Sequence, residues 1–123
     1  MKIALPLAAL IALSACATVP ATVRADGFAA LGERTRAGAL IVRPDKVVED
    51  SRCPMNARCV WAGRVIVRTS VWDGKRVSSQ DLTLGMPITV AGVQLVLDTV
   101  EPGRTTGSSI APGDWRFHYE VRR

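Results

Sequence analysis

The stretch Trp115-Arg116-Phe117-His118-Tyr119-Glu120-Val121-Arg122 decides the fold class, because apolar and polar side chains alternate along it without exception. A period of two is typical of a β-strand with one buried and one solvated face. The odd-numbered residues of this stretch are therefore predicted to face a core. His118 falls on the polar side, so we interpret it as a solvated strand residue rather than a metal ligand or a general base.

The same period occurs earlier in the chain. Residues 64–72 carry valine or threonine at the odd positions, which predicts another half-buried strand. Asp73-Gly74 is a typical hairpin turn, and residues 76–84 are predicted to return beyond it as the antiparallel partner. Two further strands are predicted over residues 86–90 and 93–100.

Strands at about ten-residue spacing, with turn residues between them and no long helical pattern, predict an all-β fold. We expect a small antiparallel β-sandwich, Ig-like or related, of about six or seven strands, with a small barrel as the alternative. The chain has 123 residues, of which 48% are hydrophobic and 22% charged. That composition leaves room for one small domain, and it excludes a disordered chain and a multi-span membrane protein.

The N-terminus has the pattern of an export signal. Lys2 is followed by an apolar run that is too short to span a bilayer, and then by small residues. The segment Leu13-Ser14-Ala15-Cys16 resembles the lipobox of bacterial lipoproteins, which implies that residues 1–15 are cleaved and that Cys16 is acylated. The alternatives are an ordinary cleaved signal and a retained membrane helix. Several acyl chains on Cys16 would hold the protein on a membrane without spanning it.

Residues 16–38 are rich in Ala, Thr, Gly and charge, with an early proline, and are interpreted as the lipidated cysteine and a flexible tether. Residues 39–123 are then the β-sandwich domain. In the lipoprotein resemblance, the neutral Ala17 implies transport to the periplasmic side of the outer membrane. The Gram-negative envelope is itself inferred from the preference for arginine over lysine.

The net charge of the protein limits the kinds of partner that it can bind. Loss of Lys2 leaves 15 basic against 11 acidic side chains, a balance of +4. Nucleic acid is not expected as a partner, because export removes the protein from it. The remaining candidates are the membrane itself, an envelope protein, and an anionic envelope ligand such as a lipid headgroup or lipopolysaccharide.

Cys53 and Cys59 are six positions apart in a compartment that oxidises thiols, with turn-forming residues between them. A disulfide closing a short loop is the favoured interpretation, with a stabilisation of roughly 2 to 2.5 kcal/mol. A redox dithiol is disfavoured because the spacing is not C-x-x-C. A metal site is disfavoured because the chain has one histidine.

Residues 49–63 read Glu-Asp-Ser-Arg-Cys-Pro-Met-Asn-Ala-Arg-Cys-Val-Trp-Ala-Gly. This segment resembles the signature of a widespread group of small uncharacterised bacterial secreted proteins and lipoproteins, in which E-D-S-R-C-P is followed by C-V-W-A-G. The later Leu82-Thr83-Leu84, the strand ending at Pro102 and Tyr119 follow the order of the group. The resemblance implies a β-sandwich-like fold and no particular activity. Arg64 departs from the small or polar residue usual there.

Two interpretations of that segment remain open. Asp50 and Arg52 project to the same side of an extended chain, so an ion pair is expected to fix the cysteine loop, with Trp61 packed on the disulfide. In one interpretation the segment is only a folding element. In the other it is a binding loop in which Arg52 and Trp61 make the main contacts, because interfaces favour those residue types.

Arg64 and Arg68 are a second candidate for binding. If their face lies beside Arg76, or beside Arg116 and Arg122, several guanidinium groups converge on one surface suited to phosphate or carboxylate. The alternative is a solvated face whose arginines pair with Asp81, Asp98 and Glu120.

We therefore expect a noncatalytic binding or interaction module, with a passive structural or stress-protective envelope component as the alternative. An enzyme is the least favoured class, because no catalytic motif such as S-x-x-K, G-x-S-x-G or H-E-x-x-H occurs. No catalytic residue, cofactor or metal is expected.

Replacing the lipobox cysteine tests the predicted anchor. Cys16→Ser removes the sulfur on which lipoprotein processing begins, so the protein should leave the membrane fraction. Membrane fractionation measures where the variant is located, and mass spectrometry of the wild-type N-terminus measures whether Cys16 is acylated. An unmodified Cys16 in the wild type, with unchanged fractionation of the variant, contradicts the prediction.

Overall fold

The computed structural model describes residues 22–123, which form nine β-strands and one short 3₁₀-helix. The strands are β1 (Val23–Arg24), β2 (Phe28–Ala29), β3 (Arg34–Ala37), β4 (Leu40–Asp50), β5 (Val65–Trp72), β6 (Val77–Thr83), β7 (Ile88–Val90), β8 (Val93–Glu101) and β9 (Arg116–Arg122), and the helix is Pro112–Asp114. The predicted signal peptide and the lipidated Cys16 lie outside the described residues. Within residues 22–123, no helix is long and apolar enough to cross a membrane.

The strands form two sheets that pack face to face. The five-stranded sheet has the order β1-β3-β4-β5-β6, and the four-stranded sheet has the order β2-β9-β8-β7. All pairs are antiparallel except the short parallel pair of β1 with β3. The predicted small β-sandwich is confirmed, although the described residues form nine strands rather than the expected six or seven.

The core lies between the sheets and follows the alternation predicted from sequence. Phe117 and Tyr119 on β9 are fully buried, and Val65, Val67 and Val71 face them from β5. The Tyr119 hydroxyl and the Thr69 hydroxyl are 2.8 Å apart, so one polar contact crosses the core from sheet to sheet. Burial raises the pKa of Tyr119 well above its ordinary value and keeps the phenol neutral.

The predicted hairpin at Asp73-Gly74 and the two further predicted strands are also confirmed. β5 and β6 pair in unbroken register from Trp72 opposite Val77 to Ile66 opposite Thr83, across the Asp73-Gly74 turn. β7 and β8 are joined at Ala91-Gly92, where both residues have positive φ. That conformation matches the twist of a two-residue hairpin.

The folded unit begins earlier than the sequence predicts. Strands β1, β2 and β3 lie inside the predicted 16–38 tether, and they alternate between the two sheets. Ala29, Thr35 and Ala37 are buried there. These strands have two to four residues each, so their periodicity is too short to recognise, and their small side chains contribute little apolar signal. Residues 22–38 therefore belong to the sandwich.

Two long connections meet at one end of the sandwich. Residues 51–64 join β4 to β5, and residues 102–115 join β8 to β9. We call the first the cysteine loop and the second the facing loop. Hydrogen bonds join the two loops. The cysteine loop contains most of residues 49–63, the segment whose sequence is dense in unusual residues.

Candidate functional site

The neck of the cysteine loop is closed by backbone contacts. The Ser51 amide donates to the Arg64 carbonyl at 2.8 Å, and the Arg64 amide donates to the Ser51 hydroxyl at 3.0 Å. Gly63 has φ +68°, and a Cβ there would lie 1.8 Å from the Ser51 carbonyl oxygen. Only glycine fits at this position, because a side chain would collide with backbone.

Asp50 and Arg52 form the predicted ion pair. Arg52 Nε donates to Asp50 Oδ1 at 2.8 Å and Nη2 donates to Oδ2 at 2.9 Å, and both side chains are only 15% exposed. The Arg52 guanidinium also lies 5.7 Å from the Trp115 ring centroid and donates to the Val100 carbonyl. One arginine therefore joins the ends of β4 and β8 and the start of β9.

The facing loop holds the cysteine loop from the other side. Arg104 donates to the Arg52 carbonyl at 3.0 Å, and the Met55 amide donates to the Arg104 carbonyl at 2.8 Å. Asn56 and Thr106 exchange two hydrogen bonds at 2.7 and 2.9 Å. The sequence analysis missed Arg104, Asn56 and Thr106, because nothing in the local pattern indicates that residues about fifty positions apart meet.

The predicted Cys53–Cys59 disulfide is confirmed, with a Cα–Cα distance of 5.8 Å. Together with the neck and the facing loop, it restrains the cysteine loop at three places. A loop restrained in this way loses little conformational entropy when a partner binds it.

The tip of the cysteine loop is apolar and exposed. Val60 is 93% exposed, Trp61 83% and Met55 73%. The prediction that Trp61 packs on the disulfide is wrong. The polar groups of the loop already hold it, through Asp50, Arg52 and the facing loop, so its folding does not require the indole to be buried.

Two opposing effects set the charge state of Asp50. Burial is the largest effect and raises the pKa of this carboxyl, but the Arg52 hydrogen bonds and the positive charges of Arg52 and Arg104 outweigh it. The pKa of Asp50 therefore lies below its ordinary value of 3.8. The ion pair is fully charged at neutral pH.

Arg64 and Arg68 do not form the predicted convergent surface with β9. Arg64 pairs with Glu49, and Arg68 pairs with Asp81. Arg68 lies on β5 of the five-stranded sheet and Arg64 immediately precedes that strand, whereas Arg116 and Arg122 belong to β9 in the other sheet. Arg122 pairs with Glu120. The predicted pairings with Asp81 and Glu120 therefore occur, and these arginines are largely neutralised.

His118 is more enclosed than a solvated strand residue. Its Nδ1 lies 2.6 Å from Asp98 Oδ1, its ring centroid lies 4.5 Å from that of Phe28, and its side chain is 24% exposed. Asp98 sits at an irregularity in the β8–β9 pairing, and that offset places its carboxylate beside the imidazole. Asp98 therefore pairs with His118, not with an arginine.

Metal-ligating side chains do not form a cluster in the described part of the chain. Among residues 22–123, no group of three His, Cys, Asp or Glu side chains could hold a metal ion. Comparison with protein-family models, with curated proteins and with solved structures gives no match. The candidate site is therefore defined by its geometry alone.

Substitution of Asp50 tests whether the ion pair holds the loop. Asp50→Asn should lower the free energy of unfolding by about 2 kcal/mol at neutral pH, because Arg52 is left half-buried without its charged acceptor. Since the folded pKa of Asp50 is depressed, this stabilisation is present above the unfolded pKa and lost as pH falls through the folded value. Urea unfolding at several pH values measures the difference.

The matched control is Glu120→Gln, which removes a carboxylate paired with an arginine two positions away, but at an exposed site. Its cost should stay below about 0.5 kcal/mol. An equal loss in the free energy of unfolding for Asp50→Asn and Glu120→Gln would show that Asp50 has no special structural role.

Proposed function

We propose that this chain is a noncatalytic binding module of a lipid-anchored envelope protein, and that the cysteine loop is its contact surface. The observation that carries the proposal is the exposure of Val60 and Trp61 on a loop whose neck and flank are fixed. We propose an envelope protein as the partner.

The exposed large hydrophobic residues are concentrated on the cysteine loop. Six large hydrophobic residues of the described chain are exposed, and three of them, Met55, Val60 and Trp61, lie on the cysteine loop. Single exposed apolar residues are ordinary, but a local group of them on a restrained loop is typical of an interaction site. Tryptophan and arginine are the residues that most often dominate binding energy at interfaces.

The two earlier interpretations of this segment apply to different parts of it. Asp50, Arg52 and the Gly63 neck form the folding element, and their side chains are used within the domain. Trp61 and Val60 have no such use. Arg52 is enclosed, so we assign it to positioning the loop and assign Trp61 to the contact.

The proposed location follows from the sequence. Acylation of Cys16 would place the module on the membrane, and Ala17 favours the periplasmic side of the outer membrane. The E-D-S-R-C-P and C-V-W-A-G segments support a proposed relationship to the group of small bacterial secreted proteins and lipoproteins named above. Both segments lie at the neck and the tip of the cysteine loop.

Crosslinking from the loop tip tests the proposal. A photoreactive amino acid in place of Val60, in the full chain in its native cells, should give one discrete crosslinked partner identifiable by mass spectrometry. The same group in place of Met86, which is also exposed, is the matched control and should give only background. Trp61→Ala should abolish the Val60 product while changing the free energy of unfolding by less than about 0.5 kcal/mol.

Background crosslinking from both positions would contradict the binding proposal. It would favour the passive structural or stress-protective component, for which the loop makes no specific contact.

A further inference from the structure

A second concave site lies on the outer face of the five-stranded sheet, remote from the cysteine loop along β5. Trp72 ends β5, and its register partners on the two neighbouring strands are Ile41 and Val77. These three residues, with Arg34, Lys75 and Arg76, line a cavity of 360 Å³. We call it the Trp72 pocket. Its floor is apolar, and three of its lining side chains are cationic.

Some basic residues on this side of the sheet have an acidic partner, whereas the pocket cations, like Arg36 and Lys46, form no ion pair within the described residues. Arg43, Arg64 and Arg68 each pair with a carboxylate. Within residues 22–123, Arg34, Lys75 and Arg76 have no ion pair and their side chains donate no hydrogen bond. The nearby Asp73 carboxylate accepts the backbone amides of Lys75 and Arg76, at 2.8 and 2.9 Å, and it also attracts the Arg76 charge without forming an ion pair with it.

Trp72 holds part of this positive charge in place. The guanidinium carbon of Arg34 lies 4.8 Å from the indole centroid, and that of Arg43 lies 5.3 Å from it. Attraction to the ring stabilises a cation without neutralising it. Arg34 is therefore positioned on the indole and still offers its N–H groups to an anion.

We propose that the Trp72 pocket binds the phosphate monoester of a sugar. Guanidinium and ammonium groups suit the doubly charged phosphate, and Ile41, Val77 and the indole suit the apolar face of a sugar ring. A volume of 360 Å³ lies at the lower end of the roughly 300–1,000 Å³ of small-molecule sites, which fits a single phosphorylated sugar or one headgroup. This site is independent of the cysteine loop.

Calorimetric titration of the purified full chain with glucose 1-phosphate, and with glucose as the uncharged comparison, tests the proposal. Glucose 1-phosphate should bind and glucose should not. Arg34→Gln with Arg76→Gln should weaken phosphate binding by about tenfold or more, since it removes two charged donors. Binding should also weaken as salt rises, because the contacts are ionic and solvent-accessible.

The matched control is Arg64→Gln with Arg68→Gln, which removes the same net charge from the other end of the same sheet face. It should weaken binding by less than about threefold, because long-range charge is screened. Lys75→Gln alone, at the exposed hairpin turn, should also weaken binding. This single variant tests the proposal if the Arg34→Gln, Arg76→Gln protein fails to fold.

Lipid A in detergent micelles, compared with dephosphorylated lipid A in the same micelles, distinguishes the source of the phosphate. Binding of glucose 1-phosphate without lipid A indicates a soluble sugar phosphate, and binding of lipid A alone indicates a lipid-borne headgroup. Absence of binding to both phosphorylated probes overturns the proposal. So does equal weakening by the Arg34/Arg76 and Arg64/Arg68 double substitutions, since that would show only a general effect of charge.

Discussion

The Asp50 carboxylate is the group on which the geometry of the candidate site depends. It holds the Arg52 guanidinium with two hydrogen bonds, and Arg52 in turn lies on Trp115 and reaches the Val100 carbonyl. Trp115 belongs to the core, so the ion pair connects the loop directly to the packed interior. A buried pair of this kind is costly to break, because either partner alone remains a charge without compensation.

The polar and the apolar residues of the cysteine loop have different physical roles. Its polar residues are used to fix its own shape, and its apolar residues at the tip are left in water. Exposed Val60 and Trp61 contribute nothing to the core, and their exposure on a restrained loop supports the proposal that they contact another molecule. In the Trp72 pocket, Arg34 is held on the indole, and none of the three lining cations forms an ion pair within residues 22–123.

Stretches with a period of two made most of the sandwich predictable, as residues 64–72 and Trp115–Arg122 show. The Cys53–Cys59 disulfide and the Asp50–Arg52 pair were predictable because both are local. The exposure of Trp61 was not predictable, because it depends on Arg104 and Thr106 filling the loop's polar contacts from about fifty residues away. The pocket was missed for a similar reason: Arg34 reaches Trp72 only through β3, which is too short to recognise from periodicity.

Residue-resolved amide hydrogen exchange measures whether the cysteine loop has a fixed neck and an exposed tip. The amides of Ser51, Met55 and Thr106 donate hydrogen bonds that close the neck and join the two loops. With a fixed neck, these three amides should exchange nearly as slowly as the amides of β4 and β5, whereas the amides of Val60 and Trp61 should exchange at the rate of open chain. Rapid exchange at Ser51, Met55 and Thr106 would contradict this expectation, because the loop would then be mobile and could not present a preformed surface.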